Sequence, residues 1–274
     1  MSLWVRKGDA LDVLRTTVLK DVDVVIGSPP YAMKGERYDG ISNHWKVEDW
    51  VEWMVDVTCH ATSVAKHWVV WVVNSPYRTG VYHPACEKLL ARCYDSGLRC
   101  ERPAIWQKLN APPSRHQGKN IWFSNDWEYV LAFRCGDGAE HFDWQAIANP
   151  PKFQSGGDFR QRGSDGKRRT GGEYPKTHLA RPKDVFTATV GGGHLGHKLA
   201  HSNEAPFPEK LITPLLQVLC PAGGRVLDPF VGSGTTLAAC EALKLNGIGY
   251  DCRDSQTKLA KARINDQFPE ADIA

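Results

Sequence analysis

The 274-residue sequence predicts an α/β fold, a mostly parallel sheet flanked by helices. Three observations carry that expectation. Valine-rich runs of strand length alternate with segments of helical periodicity, a pattern that builds parallel sheets covered on both faces. A strand, a glycine turn, a helix and a second strand follow one another within "RVLDPFVGSGTTLAACEALKLNGIGYD". Apolar residues at 42% and charged residues at 24% are the proportions of a globular chain with a full core.

In chain order, "DVDVVIGS" reads as a short buried strand. "VEDWVEWMVDVTCHATSVAK" then sets Val47, Trp50, Val51, Met54, Val57, Ala61 and Val64 on one helix face. "HWVVWVV" is a second buried strand, and "HPACEKLLARCYDSG" a helix stopped by Gly97. "CERPAIWQK" and "WEYVLAFRC" have the β-branched and aromatic content of two further strands, expected as a hairpin-like antiparallel edge. From residue 136 to about 200 glycine and charge replace periodicity. Regular structure resumes with a helix in "PFPEKLITPLLQVL", the strand "RVLDP", the helix "TTLAACEALKL", the strand "GIGYD" and the helix "SQTKLAKARINDQF". The expected organisation is one half over 1–135, an insert over 136–200 and a second half over 201–274.

No stretch reaches the roughly 18 to 20 uncharged apolar residues of a membrane helix, and "MSLWVRKGDALDVL" lacks a signal-peptide core. The eight cysteines form no CxxC pair, so reduced thiols are expected, with no metal framework and a cytoplasmic location. The net charge of +3 names no partner, but its distribution is uneven. Between Lys152 and Asp184 nine basic residues face four acidic ones.

The glycine turn speaks to a ligand. Gly232 and Gly234 let backbone approach a bound group, and a helix opening at Thr235 presents amides suited to an anion such as a carboxylate. The turn lacks the lysine of a nucleoside-triphosphate loop and departs from GxGxxG. Asp251, ending the second strand, is placed to accept a ribose diol. A nucleoside with an anionic tail and no polyphosphate fits, and S-adenosylmethionine is such a ligand. A plain strand-to-helix connection is the simpler alternative.

"SPPY", residues 28 to 31, ends the first valine-rich strand. Parallel sheets place ligands at the carboxyl ends of their strands, where "DPFVGSG" also falls. Pro29 and Pro30 fix the backbone and donate no hydrogen bond, so the Pro29 carbonyl and the Ser28 hydroxyl form an acceptor-rich clamp for an NH2 group. Tyr31 offers a flat face for a planar base, a contact worth roughly 1–3 kcal/mol.

Together "SPPY" and "DPFVGSGTT" resemble the catalytic and cofactor motifs of the amino-methylating DNA methyltransferases. Their order, with a basic insert between them, resembles the permuted β-group, as do "GDALDVL", "WEYVLAF" and "APFPEKL". The resemblance covers nearly the whole chain outside the insert. It implies a Rossmann-like methyltransferase fold with a basic target-recognition insert, and direct methyl transfer from S-adenosylmethionine to a flipped base in double-stranded DNA. Asp228, Pro229, Phe230, Gly232, Ser233, Gly234, Thr235, Thr236 and Asp251 would serve the cofactor, with Asp9 near its adenine and Phe207 and Lys210 near its edge. Asp9 as a helix cap, Phe207 as core and Lys210 as a solvated charge are the ordinary alternatives.

Serine at the first motif position goes, in this group, with the 4-amino group of cytosine, so Ser28 favours cytosine over the 6-amino group of adenine. No Pro-Cys nucleophile stands at this strand end, and Cys220 is in the wrong order for one. Arg160, Arg162, Lys167, Arg168 and Arg169 are the expected DNA contacts, against the alternative of a solvated basic face. The loop "AMKGERYDGISNHW" is expected to close over the base, with Lys34 and Arg37 open to proteolysis before it does. A homodimer and a cognate restriction endonuclease are further expectations from the resemblance. Transfer to protein glutamine or RNA is a rival reading, disfavoured by motif order; an inactive DNA-binding relative is another.

Overall fold

The structure, a computed structural model, describes residues 2–18, 20–33, 45–111, 123, 125–151, 158–173, 178–191, 194–202, 206–271 and 273–274. The chain opens with strand β1 (Leu3–Lys7), helix α1 (Ala10–Thr16), strand β2 (Val22–Gly27), helix α2 (Val47–Val64) and strand β3 (Ala65–Val73). Asp9 caps α1, its carboxylate accepting from the Leu11 and Asp12 amides at 2.9 and 3.3 Å. Every residue predicted on the α2 face is buried. A small hairpin, β4 (Tyr77–Arg78) with β5 (Val81–Tyr82), leads to helix α3 (Ala85–Asp95), beyond which Gly97 takes φ +83°. Neither that hairpin nor β1 announces itself in the sequence.

Strands β6 (Arg99–Cys100), β7 (Ala104–Lys108) and β8 (Trp127–Arg134) follow. The insert holds a two-stranded ribbon, β9 (Asp158–Arg162) with β10 (Arg168–Glu173), and strand β11 (Val185–Ala188). The last half supplies helix α4 (Glu209–Leu219), strand β12 (Arg225–Asp228), helix α5 (Thr235–Leu243), strand β13 (Asn246–Asp251) and helix α6 (Asp254–Gln267).

The main sheet runs β1-β13-β12-β2-β3-β8-β7-β11, with β6 also pairing β8. Pairs from β1 through β3 are parallel; β8 is antiparallel to both β3 and β7. The two halves therefore interleave in one sheet, β1 beside β13 and β12 beside β2. Alternate residues of β2 go to opposite faces, Val24 and Ile26 into one apolar layer with α4 and α5, Val25 into another with α2 and α3.

One expectation about the sheet is corrected. β7 and β8 are an antiparallel pair, but not the edge: β11, from the segment without periodicity, pairs parallel to β7 in a register running from Val185–Ile105 to Ala188–Lys108. The physical reason is that β7 otherwise leaves a row of unpaired backbone groups, which the insert covers.

Candidate active site

β2 and β12 are neighbours, so the "SPPY" and "DPFVGSG" strand ends come together. Their approach is close: a Cβ on Gly27 would stand 2.6 Å from Asp228 Oδ1. A cavity of about 190 Å³ opens at these strand ends. Ser28, Pro29 and Pro30 form one wall; Pro229, Phe230 and Gly232 form another; Asp9 and Asp251 complete it.

The backbone of the first wall is pinned from α2. Trp50 donates its indole N–H to the Pro30 carbonyl at 2.7 Å. Among the described residues, the Ser28 hydroxyl and the Pro29 carbonyl have no hydrogen-bond partner, so both retain accepting capacity beside the cavity. Tyr31 does not line the cavity. Its ring packs on the apolar layer beneath α2, and its hydroxyl donates to Glu128 Oε2 at 2.5 Å.

In the second wall every hydroxyl of the turn is used inside the protein. Thr236 donates to Asp228 Oδ2 at 2.5 Å, and the Phe230 amide donates to Asp228 Oδ1 at 2.9 Å. Asp228 is thus a brace for the turn and stands behind the cavity, fully buried; burial pushes its carboxyl up to about 7. Arg263, also fully buried, donates from Nη1 to the Thr235 hydroxyl at 2.9 Å and to the Ser233 carbonyl and hydroxyl at 3.2 and 3.3 Å. Its Nη2 reaches Glu209 Oε1 at 2.6 Å and the Leu195 carbonyl at 3.3 Å. Gly234 takes φ +81° at the α5 N-terminus. At the cavity the turn presents the backbone of Gly232, whose amide donates to Asp251; Ser233, Gly234, Thr235 and Thr236 stand behind it and do not line the cavity.

Asp251 Oδ2 accepts from the Gly232 amide at 3.3 Å, and Oδ1 from the Arg253 amide and Nε at 2.9 and 3.2 Å. Oδ2 therefore keeps a second lone pair, whereas Oδ1 is already occupied by Arg253. Phe207 is core beside α4 and Lys210 is exposed; neither lines the cavity.

The structure adds residues that the motifs do not single out. Trp45, Trp53, Cys252 and Arg253 also line the cavity. Trp53 packs edge-on against Phe230 at 5.9 Å and Trp45 at 4.6 Å. A sequence signal exists for Trp53: it is an aromatic standing off the buried stripe of α2. Although Cys252 is exposed, partial desolvation of its sulfur and the neighbouring Asp251 carboxylate raise its thiol above the ordinary range, which disfavours the thiolate.

Arg160, Arg162, Lys167, Arg168 and Arg169 all stand exposed on the β9–β10 ribbon or its turn, away from the cavity lining. Arg168 is directly opposite Arg162, and Arg169 pairs with Asp165 at 2.6 Å. Lys34 and Arg37, and with them most of the expected closing loop, lie outside the described residues. Among the described residues no helix is long and apolar enough to cross a membrane.

Known proteins share this arrangement. The fold resembles the PvuII DNA methyltransferase (cytosine-N4-specific), with a TM-score of 0.71 at 17% identity over 95% of this chain and 86% of that one. It also resembles the Thermus thermophilus protein TTHA0409, a putative DNA modification methylase, in complex with S-adenosyl-L-methionine, with a TM-score of 0.63 at 20% identity over 100% and 99% of the chains. In sequence, the Type II methyltransferase M.HpaI of Haemophilus parainfluenzae is 39% identical over 262 residues, 95% of this chain and 73% of that protein. The chain spans about half the length of some other curated relatives that it matches. A family model described as DNA methylase, of the N6 and N4 methyltransferases, matches residues 22–262. With that match running from the first valine of β2 into α6, through both walls of the cavity, the chain belongs to the N6/N4 DNA methylase family.

Proposed function

We propose that this protein transfers a methyl group from S-adenosylmethionine to the exocyclic 4-amino group of cytosine in duplex DNA, as a site-specific enzyme of the permuted β-group. The observation that carries the reading is the meeting of two strand ends at one cavity: unused acceptors at Ser28 and Pro29, and a glycine turn with an acidic strand end at Gly232 and Asp251.

The donor set fits the cofactor. Asp251 would accept a ribose hydroxyl at Oδ2, Gly232 would let the cofactor come close to the turn, and Phe230 with Trp53 would pack its apolar surface, Asp9 standing on the Asp251 side, just past the Lys7–Asp251 pair of β1 and β13. Without a lysine in the turn, a polyphosphate has no counter-charge there. When bound, S-adenosylmethionine supplies an electrophilic methyl group on a sulfonium.

The chain's residues then do three things. The Ser28 hydroxyl and Pro29 carbonyl accept the two hydrogens of the target amino group and aim its lone pair. Trp50, by holding Pro30, keeps those acceptors in place. Tyr31, half-buried next to the clamp though outside the cavity lining, stacks the extruded base beside the cavity, offsetting a flipping cost of a few kcal/mol. Holding the reactants in an attack geometry supplies much of the acceleration. No cysteine nucleophile is needed, and Cys252, its thiol raised by partial desolvation and the Asp251 carboxylate, is ill suited to be one.

The β9–β10 ribbon supports the DNA part of the reading. Arg162 and Arg168 sit directly opposite each other, with Arg160 on the same face, a like-charge arrangement that costs stability until anions offset it. A two-stranded ribbon is of a size that the DNA major groove admits. Lys167 at its turn and Arg169 on β10 add to the basic surface.

Tritiated S-adenosylmethionine, unmethylated duplex DNA and nucleoside analysis test the proposal. The expected product is 4-methylcytosine. A 6-methyladenine product would keep the clamp and overturn the role given to Ser28 in base choice; no product on any DNA would overturn the enzymatic reading and leave a DNA-binding protein.

A further inference from the structure

Glu128 lies on β8, 97 residues from Tyr31 in sequence, and is only 6% exposed. A buried carboxylate is costly unless both oxygens are engaged, and here each has one partner. Oε2 takes the Tyr31 hydroxyl at 2.5 Å, and Oε1 takes the Lys108 ammonium at 2.5 Å. Lys108 is held in turn by the ring of Trp106, 5.1 Å from its centroid, and Trp106 stands directly opposite Glu128 in the β7–β8 register. A chain of contacts thus runs from β7 through β8 to the phenol at the end of the "SPPY" segment.

We infer that Glu128, fixed by Lys108, is a positioning residue for the ring of Tyr31. The inference rests on the proposal that Tyr31 stacks the target base. Stacking needs a ring whose plane is set before the base arrives. Tyr31 follows two prolines, its backbone is held through the Pro30–Trp50 bond, and its ring packs on the apolar layer beneath α2; none of these contacts acts on the phenol oxygen. A charge-assisted bond at the phenol oxygen ties down the far end of the side chain, so the platform is held at both ends. Tyrosine, rather than phenylalanine, is then required at this position because of the anchor and not because of the base.

The test uses the full-length protein, unmethylated plasmid DNA and tritiated S-adenosylmethionine, with cofactor affinity measured separately by calorimetry. Tyr31→Phe and Glu128→Ala should each lower kcat/KM for DNA by roughly tenfold, with cofactor affinity within about twofold. The double variant should be no worse than the worse single one, because both remove the same bond. Glu128→Gln, whose amide oxygen still accepts from the phenol, should recover most of the activity. Glu128→Ala lowering activity by the same factor in the Tyr31→Phe background as in the native one would overturn the inference, and so would a Gln variant as impaired as the Ala one. Should Glu128→Ala not fold, Lys108→Met in the native and Tyr31→Phe backgrounds carries the same comparison, its loss of activity being smaller or absent in the second. Tyr31→Ala separates the two levels: full activity there removes the stacking proposal itself, whereas loss there with normal Tyr31→Phe and Glu128→Ala removes only the anchor.

Discussion

Replacing Asp228 by asparagine should make this protein more stable at neutral and higher pH, with little change in acid. Burial moves the Asp228 carboxyl from an ordinary 3.8 to about 7 in the folded chain. Below about pH 4 both folded and unfolded chains hold the proton, and the residue exerts no pH-dependent effect. As pH rises from there to about 7, the unfolded chain releases its proton while the folded chain keeps it, so stability falls through that window and levels off above it. At 1.36 kcal/mol per pH unit the full effect is about 4 kcal/mol, of which about 3 kcal/mol falls between pH 5 and pH 8. Asparagine keeps the shape and an acceptor for the Phe230 amide, its amino group replaces the acceptor of the Thr236 hydroxyl, and it does not titrate. Urea denaturation of both proteins at a series of pH values measures the difference, and titrations common to the two chains cancel in it. The Asn variant should gain about 3 kcal/mol on the native chain between pH 5 and pH 8. A difference that stays flat over this range would show that Asp228 is ionised throughout and refute the argument from burial.

Two further outcomes follow from the cavity wall and the ribbon. Trp50→Phe leaves the Pro30 carbonyl without its donor; a loss of about 1–3 kcal/mol in thermal or urea denaturation is expected, with a larger fall in methyl transfer than in cofactor affinity. Arg162→Ala with Arg168→Ala should weaken DNA binding and flatten its dependence on salt, by about 0.9 in the logarithmic slope for each phosphate no longer neutralised, in fluorescence-anisotropy titrations at several salt concentrations. An unchanged slope would mean that the ribbon does not meet phosphates.

What the sequence discloses is decided by how local the cause is. The parallel sheet, the α2 face and the eight motif residues that line the cavity are written in short runs, because strand ends and glycine turns are built from neighbours along the chain. The pairing of Tyr31 with Glu128 is not legible, since nothing in "WEYVLAF" says that its glutamate reaches past β3 to a phenol at the end of β2. Arg263 is hidden for a related reason: in "SQTKLAKARINDQF" it looks like one more surface charge, and only its contacts to Ser233, Thr235 and Glu209 make it core. β11 is equally illegible, because four residues, "VFTA", carry too short an alternation to stand out from the polar segment around them. Asp9 resolves in both directions at once, capping α1 and lining the cavity.

The way the insert is attached bears on attempts to redirect such an enzyme to new DNA sites. β11 is a strand of the catalytic sheet, and the backbone of Leu195 is an acceptor for Arg263, which braces the glycine turn. Wholesale exchange of residues 136–200 for those of a relative would therefore strip the sheet of its border and loosen the cofactor turn together. A graft confined to the ribbon, residues 158–173, leaves both attachments in the host, and on the proposal that the ribbon meets DNA it is the segment to exchange.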